Sequence, residues 1–188
     1  MNIVVETTLL DEVKIIIPDQ FKDDRGYFME VYRSDIFHNL GLPTNFVQMN
    51  KSASISGVMR GLHLQWDPPM GKLVWASRGS AFLIAVDVKK SSNTFGKYVS
   101  VISNLDNRKM LYAPAHFARG FVSLSDETEI EYLATGTYNS SCETTIRWDD
   151  TRIGINWPGD NFIISERDKN AQTLTEWENF SVANNIFI

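Results

Sequence analysis

Val58-Met59-Arg60-Gly61-Leu62-His63-Leu64-Gln65, then Leu73-Val74-Trp75-Ala76-Ser77, then Phe82-Leu83-Ile84-Ala85-Val86-Asp87-Val88, set the architecture of this chain. Pro68-Pro69 and Arg78-Gly79 cut the segment into runs of five to eight residues, too short and too alternating for helices. The third run is apolar on both phases from Phe82 to Val86, which predicts a strand covered on both faces. Working outward, Val13–Ile17 before Pro18, Tyr98–Ile102, Met110–Ala113, Gly120–Ser123 and Glu129–Thr135 repeat the pattern. Short strands at this spacing, separated by turn residues, predict an antiparallel sandwich or barrel.

Helical signals are few. Ser34–Leu40, opened by Ser34 as N-cap and stopped at Gly41, gives one or two turns. Leu174–Phe180 gives another, with Thr175 as its expected N-cap. The class is therefore all-β with a few short helices, a closed or nearly closed barrel that hides its edges. No linker, charge block or repeat divides the 188 residues, so one domain over 1–188 is expected.

Composition narrows the chemistry. Eighteen basic against 23 acidic residues leave a net charge of −5, which argues against a nucleic-acid binder. No apolar run is long enough to span a membrane, and the N-terminus lacks the basic and apolar regions of a signal peptide, so the cytoplasm is the expected location. The single cysteine, Cys142, makes neither a disulfide framework nor a thiolate metal site. Only three histidines, His38, His63 and His116, are available, and none stands in a His-x-His pair, so no metal site is expected. Phosphate-binding glycine loops and nucleophile elbows are absent as well.

With period two, Met59, Gly61, His63 and Gln65 share one face of their strand, and Val58, Arg60, Leu62 and Leu64 the other. Gly61 would leave space beside His63 for close approach of a ligand. A half-buried histidine bonded to backbone is the competing reading. Polar company from Gln48, Asn50, Gln65 and Lys72 favours a site.

Motifs along residues 10–170 resemble those of the dTDP-4-dehydrorhamnose 3,5-epimerase family. They are Asp24-Arg25-Gly26-Tyr27-Phe28, Phe46-Val47-Gln48-Met49-Asn50, Arg60-Gly61-Leu62-His63, Gly71-Lys72-Leu73-Val74 and Ala85-Val86-Asp87. Ser92-Asn93-Thr94-Phe95-Gly96-Lys97, Arg147-Trp148-Asp149-Asp150, Gly154-Ile155-Asn156-Trp157-Pro158 and Ser165-Glu166-Arg167-Asp168 complete the series. The resemblance implies a cupin double-stranded β-helix, a jelly-roll barrel, working without cofactor or metal as a homodimer on a nucleoside-diphosphate 4-keto sugar.

It also implies roles. Protons at C3 and C5 of a 4-keto sugar are acidified by the carbonyl, so epimerisation needs a base, a stabiliser for the enolate oxygen and an acid on the opposite face. His63 matches the family's base, Asp168 the carboxylate that orients it, Lys72 the cation near the C4 oxygen and Tyr132 the acid. Arg25 and Arg60 match substrate-binding arginines, suited to phosphate by their planar forks. Glu30, Gln48, Asn50 and Glu143 match polar substrate contacts, some across a dimer interface. Phe28 and Tyr138 are candidates to pack on the base, with core packing as the competing reading.

Two positions depart from the family pattern. Phe117-Ala118-Arg119-Gly120-Phe121 carries Arg119 where a substrate-site histidine is usual, and Arg167 replaces a lysine. The expected reaction is conversion of dTDP-4-dehydro-6-deoxy-D-glucose to dTDP-4-dehydro-L-rhamnose. A monofunctional C3- or C5-epimerase on another nucleotide sugar is the alternative, and a non-catalytic sugar-nucleotide-binding cupin a third reading.

Overall fold

The computed structural model describes residues 2–184; Met1 and 185–188, the ends of the domain expected over 1–188, lie outside the described residues. In chain order the strands are β1 (Ile3–Thr7), β2 (Lys14–Pro18), β3 (Phe21–Asp23), β4 (Gly26–Phe28), β5 (Gln48–Ser54), β6 (Val58–Gln65) and β7 (Lys72–Arg78). They continue as β8 (Ser80–Asp87), β9 (Tyr98–Asn104), β10 (Met110–Ala113), β11 (Phe117–Ser123), β12 (Thr128–Ala134), β13 (Glu143–Thr145) and β14 (Ile163–Ile164). The α-helices are α1 (Ser34–Asn39), α2 (Glu166–Lys169) and α3 (Leu174–Asn179).

Two sheets form a jelly roll. One has the order β1-β2-β10-β7-β12-β5; the other runs β13-β6-β11-β8-β9, with β14 adding to β6 in parallel. Consecutive strands repeatedly cross between sheets, so residues distant in sequence become neighbours. Leu83, Ala85, Leu111, Ala113, Phe121 and Ile130 belong to the buried cluster shared by the two sheets. The alternate residues of β8, Ile84 and Val86, pack outward with Leu174 and Trp177 of α3. The double-sided apolar pattern of that strand is thus met by a core on each side.

Strand β5 was not expected, since Gln48-Met49-Asn50-Lys51-Ser52-Ala53-Ser54 lacks an apolar face. It forms because its seven residues pair in unbroken register with β12, from Ala134↔Gln48 to Thr128↔Ser54. Strand β1 likewise exists as the edge partner of β2. Both helix caps differ from expectation. Arg33, extended and without a side-chain cap bond, precedes α1. Thr173, not Thr175, caps α3: its hydroxyl accepts from the Glu176 amide at 3.1 Å while the Glu176 carboxylate accepts from the Thr173 amide at 2.7 Å.

The β3–β4 hairpin is exposed at every residue. His38 is also exposed, in the last turn of α1.

Candidate active site

A cavity of about 220 Å³ opens between the two sheets. Val74, Leu83, Leu111, Phe121 and Ile130 make its apolar part, and Asn50, Arg60, His63, Lys72, Arg119 and Tyr132 its polar part. His63 and Arg119 come from β6 and β11 of one sheet; Asn50, Lys72 and Tyr132 come from β5, β7 and β12 of the other. The polar groups thus face one space from two walls.

Arg60 and His63 line this cavity together, although simple alternation assigns them to opposite faces of β6. The register explains it. Arg119 pairs with His63 and Phe121 with Arg60, so three steps along β6 match two along β11. One extra residue in β6 makes a bulge that flips the phase upstream of it. Leu62 and Leu64, past the bulge, point into the outer core as expected. Gly61 also serves differently from expectation. A Cβ there would lie 2.6 Å from the Gly120 Cα and 2.9 Å from the Arg119 carbonyl oxygen, so the missing side chain admits the neighbouring strand rather than a ligand.

His63 Nε2 donates to Asp168 Oδ1 at 2.8 Å, and the Gly61 amide donates to the other carboxylate oxygen at 3.3 Å. Asp168 reaches β6 because β14 runs beside Val58 and Met59, then turns into α2. Ser165 caps that helix by accepting from the Asp168 amide at 3.2 Å, so Asp168 is not itself the cap. Burial works against its charge, but the bonds from His63 and Gly61 outweigh this and hold the buried carboxyl below the usual carboxylate range. With Nε2 committed as a donor, Nδ1 carries the lone pair of a neutral His63.

On the opposite wall, the Lys72 ammonium sits 4.6 Å from the centre of the Tyr132 ring. Burial, with like charge from Arg119 and to a lesser extent Arg167, pushes Lys72 down to about 7, against an opposing attraction from Glu143. Burial also raises Tyr132, against a hydrogen bond from Asn50, and so favours the neutral phenol.

Near these groups lies a second cluster. Tyr138 donates to Glu143 at 3.0 Å, Arg167 pairs with the same carboxylate at 2.8 Å, and Gln48 accepts from the Tyr138 amide at 2.8 Å while donating to Asn50 at 3.1 Å. Gln48, Asn50, Tyr138, Glu143 and Arg167 are thus brought together. Arg25, Phe28 and Glu30 are not brought to the cavity of their own chain. Arg25 pairs with Asp23 on the exposed hairpin, Phe28 is 63% exposed at its end, and Glu30 pairs with Arg33. His116 is buried but turns to Glu12 at 3.0 Å and does not line the cavity. Ser52 and Lys51, which do line it, had no apolar or motif signal of their own.

Several of the family-like motifs hold structure instead. Asp87 accepts from Ser92 and Thr94 at 2.5 and 2.6 Å and ties down the 88–97 loop; Asp150 accepts from the Leu174 amide at 2.7 Å and anchors α3.

The model of the family described as dTDP-4-dehydrorhamnose 3,5-epimerase matches residues 7–176. The chain belongs to this family. A dTDP-4-dehydrorhamnose 3,5-epimerase of Methanothermobacter thermautotrophicus is 45% identical over 172 residues, 90% of this chain and 93% of that protein. The crystal structure of dTDP-6-deoxy-D-glucose-3,5-epimerase from Legionella pneumophila, in complex with dTDP-4-keto-L-rhamnose, superposes with a TM-score of 0.90 at 37% identity, covering 93% of this chain and 94% of that one. A 3'-monoepimerase from Streptomyces bikiniensis, in complex with dTDP-quinovose, gives 0.85 at 30% identity, covering 90% and 87%. The fold is therefore the cupin-like β fold of these epimerases. Epimerases of one and of two carbons share it, so the architecture alone does not set regiochemistry.

Proposed function

We propose that this epimerase inverts C3 and C5 of dTDP-4-dehydro-6-deoxy-D-glucose to give dTDP-4-dehydro-L-rhamnose. The observation that carries the reading is His63, backed by Asp168 at 2.8 Å, on one wall of a cavity whose other wall presents Tyr132. His63 Nδ1 takes the proton from the carbon beside the carbonyl. The C–H electron pair becomes a C=C bond and the carbonyl pair moves to O4. Lys72, in its ammonium form, donates a hydrogen bond to that oxygen as charge develops. Tyr132 then protonates the carbon from the opposite face, the carbonyl reforms, and exchange with water returns the proton from His63 to Tyr132. Asp168 orients the ring and stabilises the imidazolium in between.

A cavity of about 220 Å³ is smaller than the roughly 300–1,000 Å³ of sites that enclose a drug-sized ligand. In this reading it takes the sugar, while Arg60, exposed at the edge of the cavity, and Arg167, outside it, meet the diphosphate. Turnover in D2O, followed by NMR, should place deuterium at both C3 and C5. Exchange at neither carbon refutes the assignment. Label at one carbon only selects the monofunctional reading, which the departure at Arg119 favours.

We further infer a homodimer in which the β3–β4 hairpin completes the partner's site. Arg25 and Phe28 lie on that hairpin, away from their own cavity, and Phe21, Tyr27 and Phe28 leave it with exposed apolar surface. Light scattering should give twice the chain mass; a fully active monomer would refute this.

A further inference from the structure

Arg119 is 6% exposed, and two of its side-chain nitrogens, Nε and Nη2, have no hydrogen-bond partner among the described residues. The third, Nη1, donates to the carbonyls of Ala113 and Pro114 at 3.3 and 2.7 Å. One nitrogen is therefore anchored while the Nε–Nη2 edge stays unsatisfied, in a residue that lines the cavity with His63, Lys72 and Tyr132. Buried donors without acceptors are costly, and an arginine kept in this state awaits an acceptor that the described residues do not supply. The Nε–Nη2 edge presents two parallel N–H groups, suited to a pair of oxygens in one plane.

The epimerase reading supplies such a pair, on one side of the carbonyl only. When a proton leaves C3, the C3–C4 double bond holds O3 and O4 cis and coplanar, with negative charge on O4. When a proton leaves C5, the group cis to O4 across C4–C5 is the methyl carbon, which accepts no hydrogen bond. A flat two-donor edge thus fits both oxygens of the first enolate and only one of the second. Interactions that strengthen only on the way to one enolate accelerate only that path.

We propose that the Nε–Nη2 edge of Arg119 receives O3 and O4 of the sugar together and so favours proton exchange at C3 over exchange at C5. This rests on the epimerase assignment and adds to it a residue that sets regiochemistry. Lysine at this position keeps the charge but offers no planar fork, and glutamine removes the charge.

The test compares deuterium incorporation at C3 and C5, measured separately by NMR from initial rates, in the wild type, Arg119→Lys and Arg119→Gln. Exchange at C3 should fall roughly tenfold or more relative to C5 in both variants, with C5 exchange reporting an intact base and fold. Affinity for dTDP, measured by calorimetry, should stay within about twofold, since the edge serves the sugar. An unchanged C3-to-C5 ratio overturns the proposal, as does a large loss of dTDP affinity with that ratio intact, which would make Arg119 a phosphate ligand. If Arg119→Gln fails to fold, Arg119→Lys, which retains the buried cation, decides alone. Exchange at neither carbon in the wild type removes the epimerase assignment and this inference with it; exchange at both with an unaltered ratio removes only the role of Arg119.

Discussion

Asp168 accepts from His63 Nε2 at 2.8 Å across 105 residues of sequence, and its second oxygen is held by the Gly61 amide at 3.3 Å. The two bonds fix which ring nitrogen carries hydrogen. In Asp168→Asn, the amide oxygen can still accept from Gly61, but its NH2 group then faces His63 and stabilises the opposite tautomer. Nδ1 would carry the proton and could not act as base. We expect kcat to fall roughly 10²- to 10⁴-fold with KM little changed and the fold intact. Steady-state kinetics beside a thermal melt checks this, and activity within tenfold of wild type would refute the orientation role.

Tyr132 and His63 stand on facing sheets, so removing the phenol separates abstraction from inversion. In Tyr132→Phe, His63 can still take a proton and return it, now exchanged with solvent, to the same face. Deuterium should therefore enter the substrate with retention of configuration while epimer formation drops about 10²-fold or more. Chromatographic separation of epimers with NMR of the recovered substrate measures both. Undiminished inversion would remove Tyr132 from its assignment.

The depressed Lys72 carries two pH signatures. Charged Lys72 assists the enolate oxygen, so kcat should decline as pH rises through about 7, and Arg119→Gln, which removes a neighbouring like charge, should move that decline upward. For stability the sign follows from proton binding. The ordinary value of 10.5 lies above the folded value of about 7, so between them the unfolded chain binds the extra proton. This group's contribution to folding stability therefore rises with pH across that window and is least favourable below it. Denaturant titrations from pH 6 to 10 should show a shallower rise in Lys72→Met than in wild type.

Much of the fold was legible because its inner strands carry apolar alternation bounded by Pro and Gly, as Phe82–Val88 does. Strand β5 was not legible, because its seven residues are held by pairing with β12 and have no apolar signal. In the site, motif resemblance pointed to His63, Lys72, Tyr132 and Asp168; the two sheets gather the first three, and α2 brings Asp168 to His63. Alternation misplaced Arg60, since the bulge that turns it inward is a relation between β6 and β11. The unsatisfied edge of Arg119 was beyond reach for a similar reason: it depends on where the Ala113 and Pro114 carbonyls fall and which nitrogen they occupy.

That bulge gives the last prediction. Gly61 has φ of +134° and faces Gly120 so closely that a Cβ would lie 2.6 Å from its Cα, backbone against backbone with no side chain able to yield. Gly61→Ala must adopt a conformation that L residues disfavour and also push β11 from β6, effects of about 1–3 kcal/mol each. A loss of at least about 2 kcal/mol in denaturant unfolding is expected. Because Arg119 and His63 are register partners beside the contact, the residual folded enzyme should also lose activity. Calorimetry and kinetics on Gly61→Ala, with Gly41→Ala as control, test both. Gly41 shares a positive φ of +68°, but an added Cβ there would meet nothing within 4 Å among the described residues, so its substitution should cost only the backbone part and leave turnover intact. Equal destabilisation of the two variants would show that strain, and not the close approach of β6 and β11, is what Gly61 relieves.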